Sequence, residues 1–261
     1  MVGAASGALA RRGGTTIRED VHVKVVVIGC SPAWPNAGGA QSGYLIEGTG
    51  RLLLDCGPGV LARLRNGNGG WPDVDAIAIT HFHLDHWGDL VPWTFGAAFG
   101  PGRGATKPEL WLPPGGEERL RSLGGELAFS DQLGEVFTLR EYRSEDPFAA
   151  AGFEVTPVPL AHYEELTFGL RVSNGSHTVA YSGDTAPTPR LADLARDADV
   201  FLCEATLAAQ EPAERGHLTA DEAREAFETS GARRLVVIHR PDELALDPEL
   251  ERAYDGLELQ I

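Results

Sequence analysis

At 261 residues, with 43% hydrophobic and 23% charged side chains, the chain has the balance of a globular protein, and no apolar run approaches the roughly 18 residues of a membrane span. The formal charge of −16 includes only two lysines, Lys24 and Lys107, which argues against long nucleic acid as a partner. Three cysteines (Cys30, Cys56, Cys203) sit in apolar runs with no C-x-x-C spacing, and residues 1–20 lack the apolar core of a secretion signal, so reduced thiols and a cytoplasmic location are expected.

Residues 1–20 read as a flexible N-terminal segment and 21–261 as a single domain, since no linker divides it. VHVKVVVIGC (21–30), SGYLIEGT (42–49) and RLLLDCG (51–57) read as strands of an N-terminal sheet, being rich in aliphatic and β-branched residues between Gly, Pro and Ser. VLARLRN (60–66) reads as a short helix, and DAIAIT (75–80) as a buried strand running straight into His81. The apolar stretch 88–99 is expected to be a helix interrupted at Pro92, followed by a loop over 100–116 around the short strand LWLP. FTLREY (137–142), FEVTPVPL (153–160), TFGLRVS (167–173) and HTVAYSG (177–183) are expected to form a second sheet. The last third alternates helix and strand through TPRLADLARD, VFLCEA, TADEAREAFETSG, RLVVIHR, DPELERAYDG and LELQI, with Thr219 and Glu222 as a capping box. Central strands with helices at the ends predict an α/β protein built as a four-layer α/β/β/α sandwich.

The sharpest chemical signal is Thr80-His81-Phe82-His83-Leu84-Asp85-His86, placed where an apolar strand gives out. In extended chain, residues i and i+2 share a face, so His81 and His83 can grip one ion while the following turn swings Asp85 and His86 toward a second. Four titratable groups after a buried strand would be costly without a metal to satisfy them.

This H-x-H-x-D-H resembles the signature of the metallo-β-lactamase-fold hydrolases, whose α/β/β/α sandwich matches the reading above. The family's later motifs have counterparts in order: His162 in PLAHYEELTFGLRV, Asp184 in AYSGDT and His239 in LVVIHR. Carried over, the resemblance implies that His81, His83 and His162 bind one divalent ion, that Asp85, His86 and His239 bind another, and that Asp184 bridges them. Nitrogen and oxygen donors suit zinc, with manganese or iron as substitutes. The resemblance further implies hydrolysis by a hydroxide bridging the two cations, with Asp85 also orienting the attacking water. His83 stands where the redox di-iron branch has a glutamate, which favours hydrolysis. Asp55, in LLLDCGPG, matches a position behind the ligands where a carboxylate fixes an imidazole tautomer; a simple turn role is the alternative.

Within the family the chain resembles the phosphodiesterase side, which includes transfer-RNA 3′-end nucleases and cyclic-nucleotide phosphodiesterases. His162 is followed by TFGLRV rather than set in P-G-H-T-x-G. Glu204 in FLCEAT and His217 in GHLTADEA resemble the pair that assists the leaving group, His217 as general acid held by Glu204. His217 as a residue ahead of a helix cap is the plainer alternative. His162 and Asp184 are only 22 positions apart, leaving no room for the RNA-gripping arm of the nucleases, and RPDE after His239 departs from their serine and arginine pattern. Small anionic phosphoesters are therefore the expected substrates, cyclic nucleotides foremost. A transfer-RNA 3′ endonuclease and a lactone or thioester hydrolase are the alternatives, and a non-catalytic metal-stabilised sensor is the reading from another class. A homodimer is left open. Trp87 and Trp93 flank the metal loop and are expected to pack rather than to stack on a base; His22 and His177, at strand starts, are expected to be structural.

Overall fold

A computed structural model describes residues 22–68, 70–210 and 215–261. The expected flexibility of residues 1–20 lies outside the described residues. In chain order the first half runs β1 (Lys24–Gly29), β2 (Gly43–Glu47), β3 (Arg51–Leu54), α1 (Val60–Asn68), β4 (Ala76–Ala78), α2 (Leu84–Trp87), α3 (Leu90–Phe99), β5 (Glu109–Leu112), α4 (Gly116–Glu126), α5 (Ser130–Val136) and β6 (Thr138–Glu141). The second runs β7 (Phe148–Ala150), β8 (Phe153–Pro159), β9 (Phe168–Ser173), β10 (Thr178–Tyr181), α6 (Arg190–Leu194), β11 (Val200–Glu204), α7 (Ala220–Ser230), β12 (Leu235–Ile238), β13 (Glu251–Arg252) and β14 (Glu258–Gln260).

The strands form two mixed sheets, ordered β14-β1-β2-β3-β4-β5-β6 and β13-β12-β11-β10-β9-β8-β7. Alternation along the strands decides the layering. Leu52 and Leu54 of β3 join Val172, Val179 and Leu202 in a core between the sheets, whereas Leu53 turns outward to a cluster with Val60, Leu64 and Trp93. Phe201 and Cys203 of β11 likewise turn outward, onto Leu191 and Leu194 of α6 and Ala223 of α7. The result is the expected α/β/β/α sandwich. All three cysteines are free and buried.

Each sheet is antiparallel at one end and parallel at the other, β3 to β6 in the first and β10 to β13 in the second. Helices occupy the parallel crossovers other than the one from β12 to β13, and the carboxyl ends of the parallel strands share one edge of the sandwich. That edge is where open α/β sheets bind ligands.

Several expectations need correction. FTLREY does not open the second sheet; β6 pairs parallel with β5 in the first. The C-terminal LELQI also returns to the first sheet, β14 pairing antiparallel with β1. DPELERAYDG is not a helix: Glu251 and Arg252 pair with Val236 and Val237 of β12. Tertiary contacts override its helical composition, because Glu251 receives two 2.7 Å hydrogen bonds from Arg234 while Arg252 donates to the carbonyls of Arg240 and Pro241. Pro92 does not interrupt α3, where it is the third residue; a first-turn N–H has no intrahelical acceptor to lose. α4, α5 and β7 escape the sequence reading; glycine dilutes both helices, which are held by buried Leu120 and Leu133. The Thr219–Glu222 capping box forms as expected. Trp87 and Trp93 are both buried in the outer core of the first sheet.

Candidate metal centre

The turns at the carboxyl ends of β3, β4, β8, β10, β11 and β12 deliver Asp55, His81 to His86, His162, Asp184, Glu204 and His239 to that one edge. Backbone strain occurs there: Asp55, Tyr163 and His239 hold φ of 58°, 49° and 52°, a left-handed region that non-glycine residues seldom occupy.

Two ligand groups result. His81, His83, His162 and Asp184 offer donor atoms within 4.8 Å of one another, and so do Asp85, His86, Asp184 and His239. Asp184 belongs to both, as expected of a bridging residue. Its Oδ2 lies 3.3 Å from His86 Nε2, 3.6 Å from His239 Nε2, 3.8 Å from His162 Nε2 and 3.9 Å from His81 Nε2.

The far nitrogen of four rings is tied down, which assigns their tautomers. His86 Nδ1–H donates to Asp55 at 2.7 Å, and His162 Nδ1–H to the Gly216 carbonyl at 2.7 Å. His81 Nδ1–H donates to Thr80 Oγ1, whose own proton goes to Asp55; His239 Nδ1–H donates to Thr206 Oγ1, within 2.9 Å of Glu204 Oε2. The Nε2 atoms of these four rings are thereby left facing inward, to take a metal ion or, in His86 without metal, a proton. His162 Nε2 faces His83 Nδ1 at 2.8 Å, and Asp85 Oδ2 lies 3.1 Å from His239 Nε2 and 3.3 Å from His86 Nε2. Acceptors this close require a shared cation, a proton or a metal ion. His81 Nε2, His86 Nε2 and Asp184 Oδ1 are buried with no hydrogen-bond partner, so the donor set fits two metal ions and satisfies poorly without them.

Electrostatics agree. Burial, reinforced by the charge of His86, holds His81 well below the ordinary imidazole pKa, and burial also lowers His162. Burial opposes the charge on His86, but Asp184, Asp55 and Asp85 outweigh it and hold that ring well above its usual value. Against the same cost of burial, His239 and His86 hold Asp184 far below the carboxylate range, and His86 and His239 hold Asp85 down.

Beside these groups His217 Nδ1 stands 2.9 Å from Glu204 Oε1 and 4.0 Å from Asp184 Oδ2. Burial lowers the His217 pKa, but the hydrogen bond and charge of Glu204, with the charge of Asp184, raise it to about 9. Glu204 is wholly buried and accepts backbone N–H groups of Thr185, Thr206 and Leu218. Glu204, His217 and His239 form a third compact group. His22 and His177 stand apart from the site, two residues before β1 and one before β10.

Three supporting residues escape the sequence reading. Thr206 follows Glu204 by two positions and was accessible through strand alternation. Gly216 and Tyr181, whose hydroxyl donates to Asp55 at 2.6 Å, carry no local signal.

A family model described as beta-lactamase superfamily domain matches residues 50–240. The probable metallo-hydrolase YhfI of Bacillus subtilis is 31% identical over 221 residues, covering 84% of this chain and 87% of that protein. Its crystal structure superposes with a TM-score of 0.80 at 25% identity, covering 92% of this chain and all of that one. A Ribonuclease Z of Archaeoglobus fulgidus is 24% identical over 285 residues, covering 88% of this chain and 92% of the relative. A diphosphatase from the PhnP family has the same fold, with a TM-score of 0.71 at 19% identity over 92% of this chain and 98% of its own.

Proposed function

The chain belongs to the beta-lactamase superfamily, and from that premise we propose that it is a dinuclear metal-dependent phosphodiesterase acting on small phosphoesters, with cyclic nucleotides as the leading substrates. His81, His83 and His162 would hold one ion, Asp85, His86 and His239 the other, and Asp184 both. Zinc suits this donor set, with manganese or iron as substitutes. When bound, the two ions supply Lewis acidity toward the phosphoryl oxygens and an activated water.

The chain's own residues supply the rest. Asp85 orients the attacking water. His217 gives its proton to the departing ester oxygen, and Glu204 holds that ring by Nδ1 so that Nε2 is free to donate. This paired histidine and carboxylate, set beside the ligand groups, carries the reading: an alkoxide leaving group needs an acid, and the Glu204 carboxylate favours the protonated form of His217. Relatives named for ribonuclease and diphosphatase activity support phosphoester chemistry.

Small substrates are favoured because β9 and β10 join through a tight turn, leaving no arm between His162 and Asp184 to grip RNA. The acidic net charge weighs the same way. We read residues 21–261 as one hydrolase domain, since a single core draws on both sheets, and place it in the cytoplasm on the strength of its reduced, buried thiols. Among the described residues no helix is long and apolar enough to cross a membrane.

The test is hydrolysis of bis(p-nitrophenyl) phosphate by protein loaded with zinc or manganese, with His83→Ala as the control. Turnover that vanishes in the variant is expected. Protein holding two metals that cleaves lactones or thioesters but no phosphodiester overturns the reading; tight binding of unprocessed transfer RNA at physiological salt replaces it with the nuclease.

A further inference from the structure

Tyr163 follows His162 directly and is the aromatic residue that the site leaves open. Its ring centroid lies 5.0 Å from that of His162 and 5.9 Å from that of His217, so it borders both a metal-ligand position and the proposed acid. One side rests on Gly216, where a Cβ would overlap both the Tyr163 ring and His162 Nδ1; only glycine lets the ring sit so close. The remainder faces solvent, for Tyr163 is 50% exposed, whereas Trp87 and Trp93 are 8% and 1% exposed.

The placement is held against local preference. A φ of 49° is an outlier for a bulky side chain, and such strain persists where the surroundings over-determine it. The turn is braced accordingly. Glu165 N–H donates to the His162 carbonyl, and the Glu165 carboxylate pairs with Arg119 of α4. The guanidinium of Arg119 in turn lies 4.7 Å over the ring of Phe82, between His81 and His83. Leu166 in the same turn and Leu84 within the metal motif are also exposed, at 48% and 62%, giving the site apolar flanks where a purely phosphate-binding pocket would want charge.

We propose that Tyr163 is a substrate-contacting residue whose ring is the platform for a planar nucleobase, the ester's leaving oxygen facing His217. The proposal rests on the phosphodiesterase reading and supplies its selectivity: base stacking is tolerant of base identity and favours a nucleotide over a plain sugar phosphate.

The experiment compares binding of adenosine 5′-monophosphate and ribose 5-phosphate to the full, metal-loaded chain by calorimetry, in wild type, Tyr163→Phe and Tyr163→Leu. Wild type and Tyr163→Phe are expected to prefer the nucleotide by about tenfold. Tyr163→Leu should bind both ligands equally, with its ribose 5-phosphate affinity unchanged. A wild type without nucleotide preference, or Tyr163→Leu that keeps it, overturns the proposal. Loss of both ligands together in Tyr163→Leu, with Tyr163→Phe normal, makes the ring a support for His162 and overturns it equally. Turnover of bis(p-nitrophenyl) phosphate is read separately: turnover without nucleotide preference removes the platform alone, whereas nucleotide preference without turnover removes only the phosphodiesterase.

Discussion

His86 Nδ1 lies 2.7 Å from Oδ2 of Asp55, a carboxylate 31 residues earlier that also accepts the backbone N–H of Thr80 at 2.8 Å and the hydroxyl of Tyr181 at 2.6 Å. Four parts of the fold thus meet at one buried acid: Asp55 follows β3 directly, Thr80 lies two residues past β4, α2 carries His86 and β10 carries Tyr181. The carboxylate sets the His86 tautomer and turns Nε2 toward Asp85 and Asp184.

Replacing Asp55 with alanine leaves the His86, Thr80 and Tyr181 donors unpaired in a buried place. A loss of about 3 kcal/mol or more in folding stability is expected, read as a lowered Tm, with a roughly 10–100-fold weaker affinity for the second ion. Asp55→Asn, which keeps an acceptor, should recover part of both. Unchanged metal affinity in Asp55→Ala would reduce Asp55 to a turn residue.

His217 should matter in proportion to the leaving group. His217→Ala is expected to lower kcat on a cyclic nucleotide by about 100-fold or more while barely affecting p-nitrophenyl esters, whose phenolate departs without a proton. Glu204→Gln removes the charge that raises His217, so the basic limb of the kcat profile, set by loss of the His217 proton, should move to lower pH. Equal losses on both ester types would argue against an acid at this position.

Above about pH 6.5 the metal-free protein should lose stability as pH rises, because His81 and His162 are already neutral there while His86 and His217 still hold protons that the unfolded chain gives up. The folded His86 pKa exceeds its unfolded value, so its contribution is complete below about 6.5 and is lost as pH climbs toward the folded value. Metal binding strengthens over the same interval because the ligand rings must be neutral. The difference in Tm between metal-loaded and metal-free protein should therefore widen above pH 6.5; a constant gap would contradict a charged His86.

Gly57 packs against the main chain of the metal motif, and a Cβ there would overlap the carbonyl oxygen of Asp85. Backbone cannot rotate aside as a side chain can. Gly57→Ala is expected to cost about 1–3 kcal/mol or more and to displace Asp85, lowering metal stoichiometry below two per chain by elemental analysis. Full occupancy in a folded variant would show that the loop can yield.

The clustering of His81, His83, Asp85 and His86 was legible from local rules, whereas His162, Asp184 and His239 were reached only through the motif order of the resemblance; the fold brings all seven together. Strand alternation puts His81 and His83 on one face, and the order of His162, Asp184 and His239 survives in the linear chain. Fold class was legible for the same reason, since periodicity reports which faces are buried. Sheet membership was not. FTLREY and LELQI both read as strands, but nothing in four to six residues says which sheet offers them a free edge, and DPELERAYDG became β13 through Arg234 and Arg252, whose partners lie elsewhere in the chain.

The sequence by itself determined the α/β class and the cluster of His81, His83, Asp85 and His86, while the remaining donors and the hydrolase reading came from its resemblance to a known family. Tertiary structure alone decided how each donor is aimed, through Asp55 behind His86, Gly216 behind His162 and Thr206 behind His239, and left Tyr163 standing open between His162 and His217. The reason is physical: a hydrogen bond between residues such as Asp55 and Tyr181, 126 positions apart, exists only after two sheets have packed, and no pattern of neighbours along the chain encodes which buried donor will meet which acceptor.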